Sequence, residues 1–129
     1  MKQEFCSYEQ SIALKELGFD EPCFGWFKGN EFTRSFDDLY PKEKGERFEI
    51  IKAPTYSQAF RWFREKFNMP SKIEATFEHE TPNQYHYFYQ IVTDDFVSGD
   101  GVMLNWTYEE AELACLKKLI EIVKTNEIS

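Results

Sequence analysis

The sequence predicts an α+β fold: a mainly antiparallel sheet of about six strands with three helices, in the order α-βββ-α-βββ-α, within a single domain spanning residues 1–129. Three observations carry this reading. Ser7-Tyr8-Glu9-Gln10, Thr55-Tyr56-Ser57-Gln58 and Thr107-Tyr108-Glu109-Glu110 each have the form of a capping box, and each is followed by apolar residues at helical spacing. Between these helices the apolar pattern changes to period two. Gly29-Asn30 stands between two aromatic-rich segments, the chemistry of a two-residue hairpin turn.

The first helix is expected from Tyr8 to about Leu17, with Ala13, Leu14 and Leu17 inward. Gly18 supplies the left-handed residue that closes it, and Phe19 is placed to fold back on Leu14. "CFGWFK" and "EFTRSF" then form the hairpin around Gly29-Asn30, and "RFEIIKA" leads as a third strand into the second helix. The polar stretch Asp37 to Glu46, with its Pro and Gly, reads as a long surface loop.

The second helix is expected from Tyr56 to Phe67, ending at Asn68 before Met69-Pro70. At 100° per residue Tyr56, Phe60, Phe63 and Phe67 form one stripe, assigned to the core. Trp62 falls ~120° from it, and two readings follow: packing against a neighbouring helix, or an exposed anchor for a partner.

"KIEATFEHE" alternates Ile73, Ala75, Phe77 and His79 against Glu74, Thr76, Glu78 and Glu80, the pattern of a half-buried strand. After a Pro82-Asn83 turn, "YHYFYQIVT" carries Tyr85, Tyr87, Tyr89 and Ile91 on one face and His86, Phe88, Gln90 and Val92 on the other. "DDFVSGD" reads as the loop to a short returning strand, "GVMLNW". The third helix runs from Tyr108 to about Lys124, with Glu109, Glu110 and Glu112 early and Lys117, Lys118 and Lys124 late, an order that suits its dipole.

Composition narrows the function. The formal charge of -8 is unfavourable for general nucleic-acid binding, which needs clustered Lys and Arg. Cys6, Cys23 and Cys115 are odd in number and form no C-x-x-C pair, so a reducing cytoplasmic setting is expected, without a disulfide framework or zinc ribbon. No signal peptide or membrane span is expected, since no apolar run approaches ~20 residues. Aromatics make up 18% of the chain, enough to cover both faces of a sheet or to meet a partner.

No constellation points to catalysis or to a cofactor or metal. His79 and His86 lie seven apart on strands, not four apart on a helix. Asp94, Asp95 and Asp100, like Asp37 and Asp38, fit solvated turns better than an EF-hand. Neither phosphate-binding glycine motif occurs, and no positive charge neighbours Cys6 or Cys23 to activate a thiol.

"SYEQSIALKELGFDEPCFGWF", "APTYSQAFRWFREKF" and "TYEEAELACLKKLIEIV" together resemble a family of short proteins encoded by phages and prophages of gut Bacteroides relatives. The resemblance implies a phage or prophage accessory protein and brings no catalytic residues. "GVMLNWTYEEAELACLKKL" is also similar to an antitoxin-like βββα module, a fold-level analogy that assigns no function.

The expectation is therefore a non-enzymatic binding protein acting on a host factor or defence system, with a protein partner or self-association. The alternative is a small-ligand or nucleotide-binding domain, an enzyme included, with an aromatic-lined pocket. The residues singled out for these roles are Trp62, Tyr85, Tyr87, Tyr89 and Trp106.

Overall fold

The computed structural model describes residues 4–40, 44–45, 47–77, 85–92, 97–98 and 107–128, and the side chains of these except residues 76, 77, 85, 97, 98, 127 and 128. The chain divides into two compact units, Met1–Gln58 and Ala59–Ser129. The fold is α+β with antiparallel pairing throughout its described strands.

In the first unit α1 (Tyr8–Glu16) begins on a complete capping box. The Gln10 N–H donates to Ser7 Oγ at 3.2 Å, and Gln10 Oε1 accepts from the Ser7 N–H at 3.3 Å. Its end is equally well defined. Gly18, at φ +103°, lets its own N–H reach the Lys15 carbonyl and the Phe19 N–H reach the Leu14 carbonyl, both at 3.0 Å. These are the two bonds of a Schellman cap, as the Leu14-Gly18-Phe19 pattern predicts. The inward face differs in part from expectation: Leu14 and Leu17 are buried, but Gln10 and Ser11 join them while Ala13 is half-buried. Gln10 is drawn in because its side-chain oxygen also accepts from the Tyr56 hydroxyl at 3.2 Å.

β1 (Trp26–Lys28), β2 (Glu31–Thr33) and β3 (Ile50–Lys52) form a three-stranded sheet in the order β2-β1-β3. Gly29, at φ +62°, makes the β1–β2 turn. Phe27 pairs with Phe32 on one side and Ile51 on the other. Cross-strand partners share a face, and Phe5, Phe27, Ile51 and Ala53 form a core against which Tyr8, Ile12 and Phe32 pack. A Cβ on Gly25 would stand 2.8 Å from the Phe5 ring and 2.9 Å from that of Phe32. The two rings, with centroids 5.0 Å apart, close over the glycine, so the position admits no side chain.

The division between units falls inside α2 (Tyr56–Phe67), after Gln58. Its cap is half a box. The Gln58 N–H donates to Thr55 Oγ1 at 3.1 Å, but the Gln58 side chain turns to the Pro22 carbonyl at 2.6 Å. The core stripe needs correction: Ala59, Trp62 and Phe63 are buried, whereas Tyr56, Phe60 and Phe67 are half-buried. Aromatics cover more of this helix than it buries, and the buried side is the one that includes the small Ala59. Asn68, at φ +54°, ends the helix, and the Met69 N–H returns to the Phe63 carbonyl at 3.2 Å.

The second unit holds β4 (Ser71–Phe77), β5 (Tyr85–Val92), β6 (Val97–Ser98) and α3 (Tyr108–Ile128). The three strands form a sheet in that order, with Ile73 opposite Tyr89 and Ala75 opposite Tyr87. α3 packs on β5 and β4. It starts on a complete box, Thr107 N–H to Glu110 Oε1 at 3.0 Å and Glu110 N–H to Thr107 Oγ1 at 3.1 Å. Its buried residues Ala111, Cys115, Leu116, Leu119, Ile120 and Val123 make two adjacent rows.

Three expectations of the sheet are corrected. There are two three-stranded sheets rather than one; strands of three residues or more number five among the described residues, with β6 a two-residue segment. A 3-10 turn, Phe36–Leu39, stands between β2 and β3 where a plain loop was expected. β6 lies inside the stretch read as the loop "DDFVSGD", because Val97 pairs directly with Val92; the expected strand "GVMLNW" lies outside the described residues. Two residues are too few to show an alternating pattern.

Candidate functional site

Of the residues singled out from sequence, Trp62, Tyr87 and Tyr89 have described side chains. Trp62 is 6% exposed. Its ring meets Phe63 and Phe67 edge-on at 5.1 and 5.2 Å, and the Lys66 ammonium lies over it at 5.3 Å. The helical angle that set Trp62 apart is real, but it points into the buried arc. Tyr89 is 2% exposed, on the sheet face where Tyr87 meets Tyr108 of α3 edge-on at 5.5 Å. Tyr87 is half-buried there. The Tyr85 side chain and Trp106 lie outside the described residues, as do His79, Asp94, Asp95 and Asp100. His86 is buried.

The most exposed aromatics among the described residues lie in the first unit, on residues that periodicity did not single out. Trp26 and Phe27 are neighbours on β1 and face opposite sides of the sheet. Phe27 enters the core, and Trp26 lies beneath Phe36, which meets it edge-on at 5.0 Å. Phe36 opens the 3-10 turn, and that turn is tied down beside Trp26. Thr33, the cross-strand partner of Trp26, donates through Oγ1 to Asp38 at 2.7 Å and accepts from the Ser35 N–H at 3.0 Å. The Asp37-Asp38 pair thus includes a structural member.

Phe36 is 62% exposed, Tyr40 at the end of the turn 61%, and Phe24, two residues before Trp26, 77%. At about 200 Å² per ring, these three leave on the order of 400 Å² of aromatic surface in water. A loop aromatic carries no periodic signal, and only its neighbours decide whether it is covered.

The thiols offer little chemistry. Burial pushes Cys23 up to about 11, a rise that nearby Lys52 only partly offsets. Burial pushes Cys115 up to about 12 against the lowering effect of a hydrogen bond with Ser71. Neither forms an appreciable thiolate near neutral pH. Among the described residues no three His, Cys, Asp or Glu gather as a metal-binding set, and no described helix is long and apolar enough to cross a membrane.

No family model matches the chain, and neither does any curated protein or solved structure.

Proposed function

We propose that the chain is an interaction protein that works by binding a protein partner through Phe24, Phe36 and Tyr40. The exposure of three large aromatics on neighbouring segments, with Phe36 seated on Trp26, carries this reading. Aromatic anchors dominate binding energy at interfaces, because they remove large area from water at small conformational cost. Their summed exposed area is about half of the ~800 Å² that one partner contributes to a standard interface, so they serve as anchors within a larger contact. The likeness of three segments to phage and prophage proteins makes a bacterial host factor or defence component the partner class to test first, with a second copy of the chain next.

The test compares the native chain with a Phe24→Ser/Phe36→Ser/Tyr40→Ser variant of matched thermal stability. Affinity capture from a Bacteroides lysate and sedimentation of the purified protein are the readouts. A partner or a self-associated species that the native chain forms reproducibly and the variant loses is the expected result. Capture and sedimentation that are identical for the two proteins would defeat the assignment.

A further inference from the structure

A separate cavity in the first unit has the character of a ligand site. It has a volume of about 110 Å³ and is lined by Ser11, Lys15, Phe19, Asp20, Ile50 and Lys52. This is far below the roughly 300–1,000 Å³ of sites for drug-sized ligands or nucleotides. Whatever it takes is small.

The cavity runs along the open edge of β3. The Ala53 N–H donates to the Gly25 carbonyl and the Gly29 N–H to the Glu49 carbonyl, each at 2.9 Å. Both fall in the register that pairs Phe27 with Ile51. In an antiparallel ladder hydrogen-bonded pairs alternate, so the backbone groups of Ile50 and Lys52 point away from β1. β3 has no strand on that side, and no hydrogen bond to these outward groups occurs among the described residues.

The polar lining is dominated by donors. The Lys52 ammonium sits 2.8 Å from the Asp20 carboxylate. Lys15 pairs with Glu49 at 3.3 Å, but that carboxylate does not line the cavity, and both side chains are more than half exposed. Such a pair is worth little in water and yields readily to a better acceptor. The lining therefore carries two cations against one anion. Of the lining residues Ser11 is 1% exposed, and its hydroxyl has no hydrogen-bond partner among the described residues. Buried hydroxyls are normally satisfied, so this one is available to a ligand that enters the cavity. Phe19 and Ile50 supply apolar wall.

We infer that this cavity binds a small carboxylate with a short hydrocarbon tail. The carboxylate oxygens accept from the Ser11 hydroxyl, the Lys15 and Lys52 ammonium groups and the outward N–H groups of β3, and the tail lies against Phe19 and Ile50. The two ammonium groups donate and cannot accept, and the Ser11 hydroxyl and the outward N–H groups of β3 can add donors beside them, so a ligand rich in acceptors, an anion, fits the lining. The limited volume and apolar walls select a carboxylate of a few carbons over a phosphorylated metabolite.

The test is a titration of the full chain with sodium butyrate, followed by amide chemical shifts, with sodium chloride at equal ionic strength as the blank. Saturable shifts at Ser11, Ile50 and Lys52 are expected, with butyrate about tenfold tighter than acetate from two buried methylenes. Ser11→Ala and Lys15→Met should each weaken butyrate at least threefold while leaving the amide spectrum dispersed. Ser11→Ala should melt no lower than the native chain, since it removes an unpaired hydroxyl. Shifts reproduced by chloride, shifts scattered over both units, equal binding of inorganic phosphate, or undiminished binding in both variants would each overturn the inference.

Discussion

The Gln58 side chain donates to the Pro22 carbonyl at 2.6 Å and leaves the Thr55 N–H, the group it would reach in a capping box. The same tetrapeptide pattern thus has two outcomes, since Ser7-Gln10 and Thr107-Glu110 close reciprocally. Double-mutant cycles should separate them. Ser7→Ala and Thr55→Ala should each cost about 1 kcal/mol. Coupling to the residue three positions on should be measurable for Ser7-Gln10 and near zero for Thr55-Gln58, read from urea midpoints. Equal coupling in the two pairs would contradict the observed geometry.

Gly25→Ala should destabilise the first unit by about 1–3 kcal/mol, the usual cost of forcing extra volume into a packed core. The added methyl meets the Phe5 and Phe32 rings at 2.8 and 2.9 Å. Pairing it with Phe32→Leu should recover part of the loss. Full stability in the single variant, measured by thermal unfolding, would show that the rings are free to move apart.

Trp62→Ala should lose about 3–5 kcal/mol, as for other buried aromatics, because Trp62 is buried against Phe63 and Phe67. The urea midpoint reports it. A variant of unchanged stability that had lost a partner would restore Trp62 as a surface anchor.

Burial, with repulsion from Glu109 added, raises the Glu112 carboxyl above its ordinary value. The folded state then binds the proton more tightly than the unfolded state. The stability this contributes is fully present below the unfolded-state pKa and is lost as pH rises through the folded-state pKa. Glu112→Gln should flatten that part of the profile and raise stability at pH 7 relative to the native chain. Urea midpoints between pH 4 and pH 7 give the slope; a Gln variant with an unaltered slope would remove Glu112 as its source.

Thiol reactivity gives a further check. With Cys23 pushed up to about 11 from an ordinary 9.0, its thiolate fraction at pH 8 falls about a hundredfold, before any effect of access. Cys115 stands higher still, and Cys6 is buried as well. A disulfide reagent should label the folded chain at least a hundred times more slowly than the urea-unfolded chain. Rapid labelling of Cys23 in the fold would indicate that the Cys23 segment opens readily.

Local chemistry was legible wherever a short stretch of chain determines the outcome. Ser7, Gly18 and Phe19 fix both ends of α1, Gly29 turns the first hairpin, and the Ile73 and Tyr89 alternation runs through β4 and β5. The limits appear where one pattern is compatible with several neighbours. The aromatics of α2 define an arc wider than its buried face, so spacing placed Phe60 inward, where it is half-buried, and left Trp62 between a packed and an exposed reading, where it is buried. Phe24, Phe36 and Tyr40 sit in segments without periodicity, and nothing local distinguishes an exposed ring from a covered one.

By itself, then, the sequence determined three helices, the reciprocal caps of α1 and α3, the alternation of β4 and β5 and the antiparallel α+β class, because capping bonds and side-chain periods act over three or four residues. Only the tertiary structure decided that the strands form two sheets, that Trp62 and Tyr89 are enclosed, and that the buried Ser11 hydroxyl has no hydrogen-bond partner among the described residues. Those outcomes depend on which surfaces meet across long separations in the chain, and burial is a property of the meeting surfaces rather than of either segment alone.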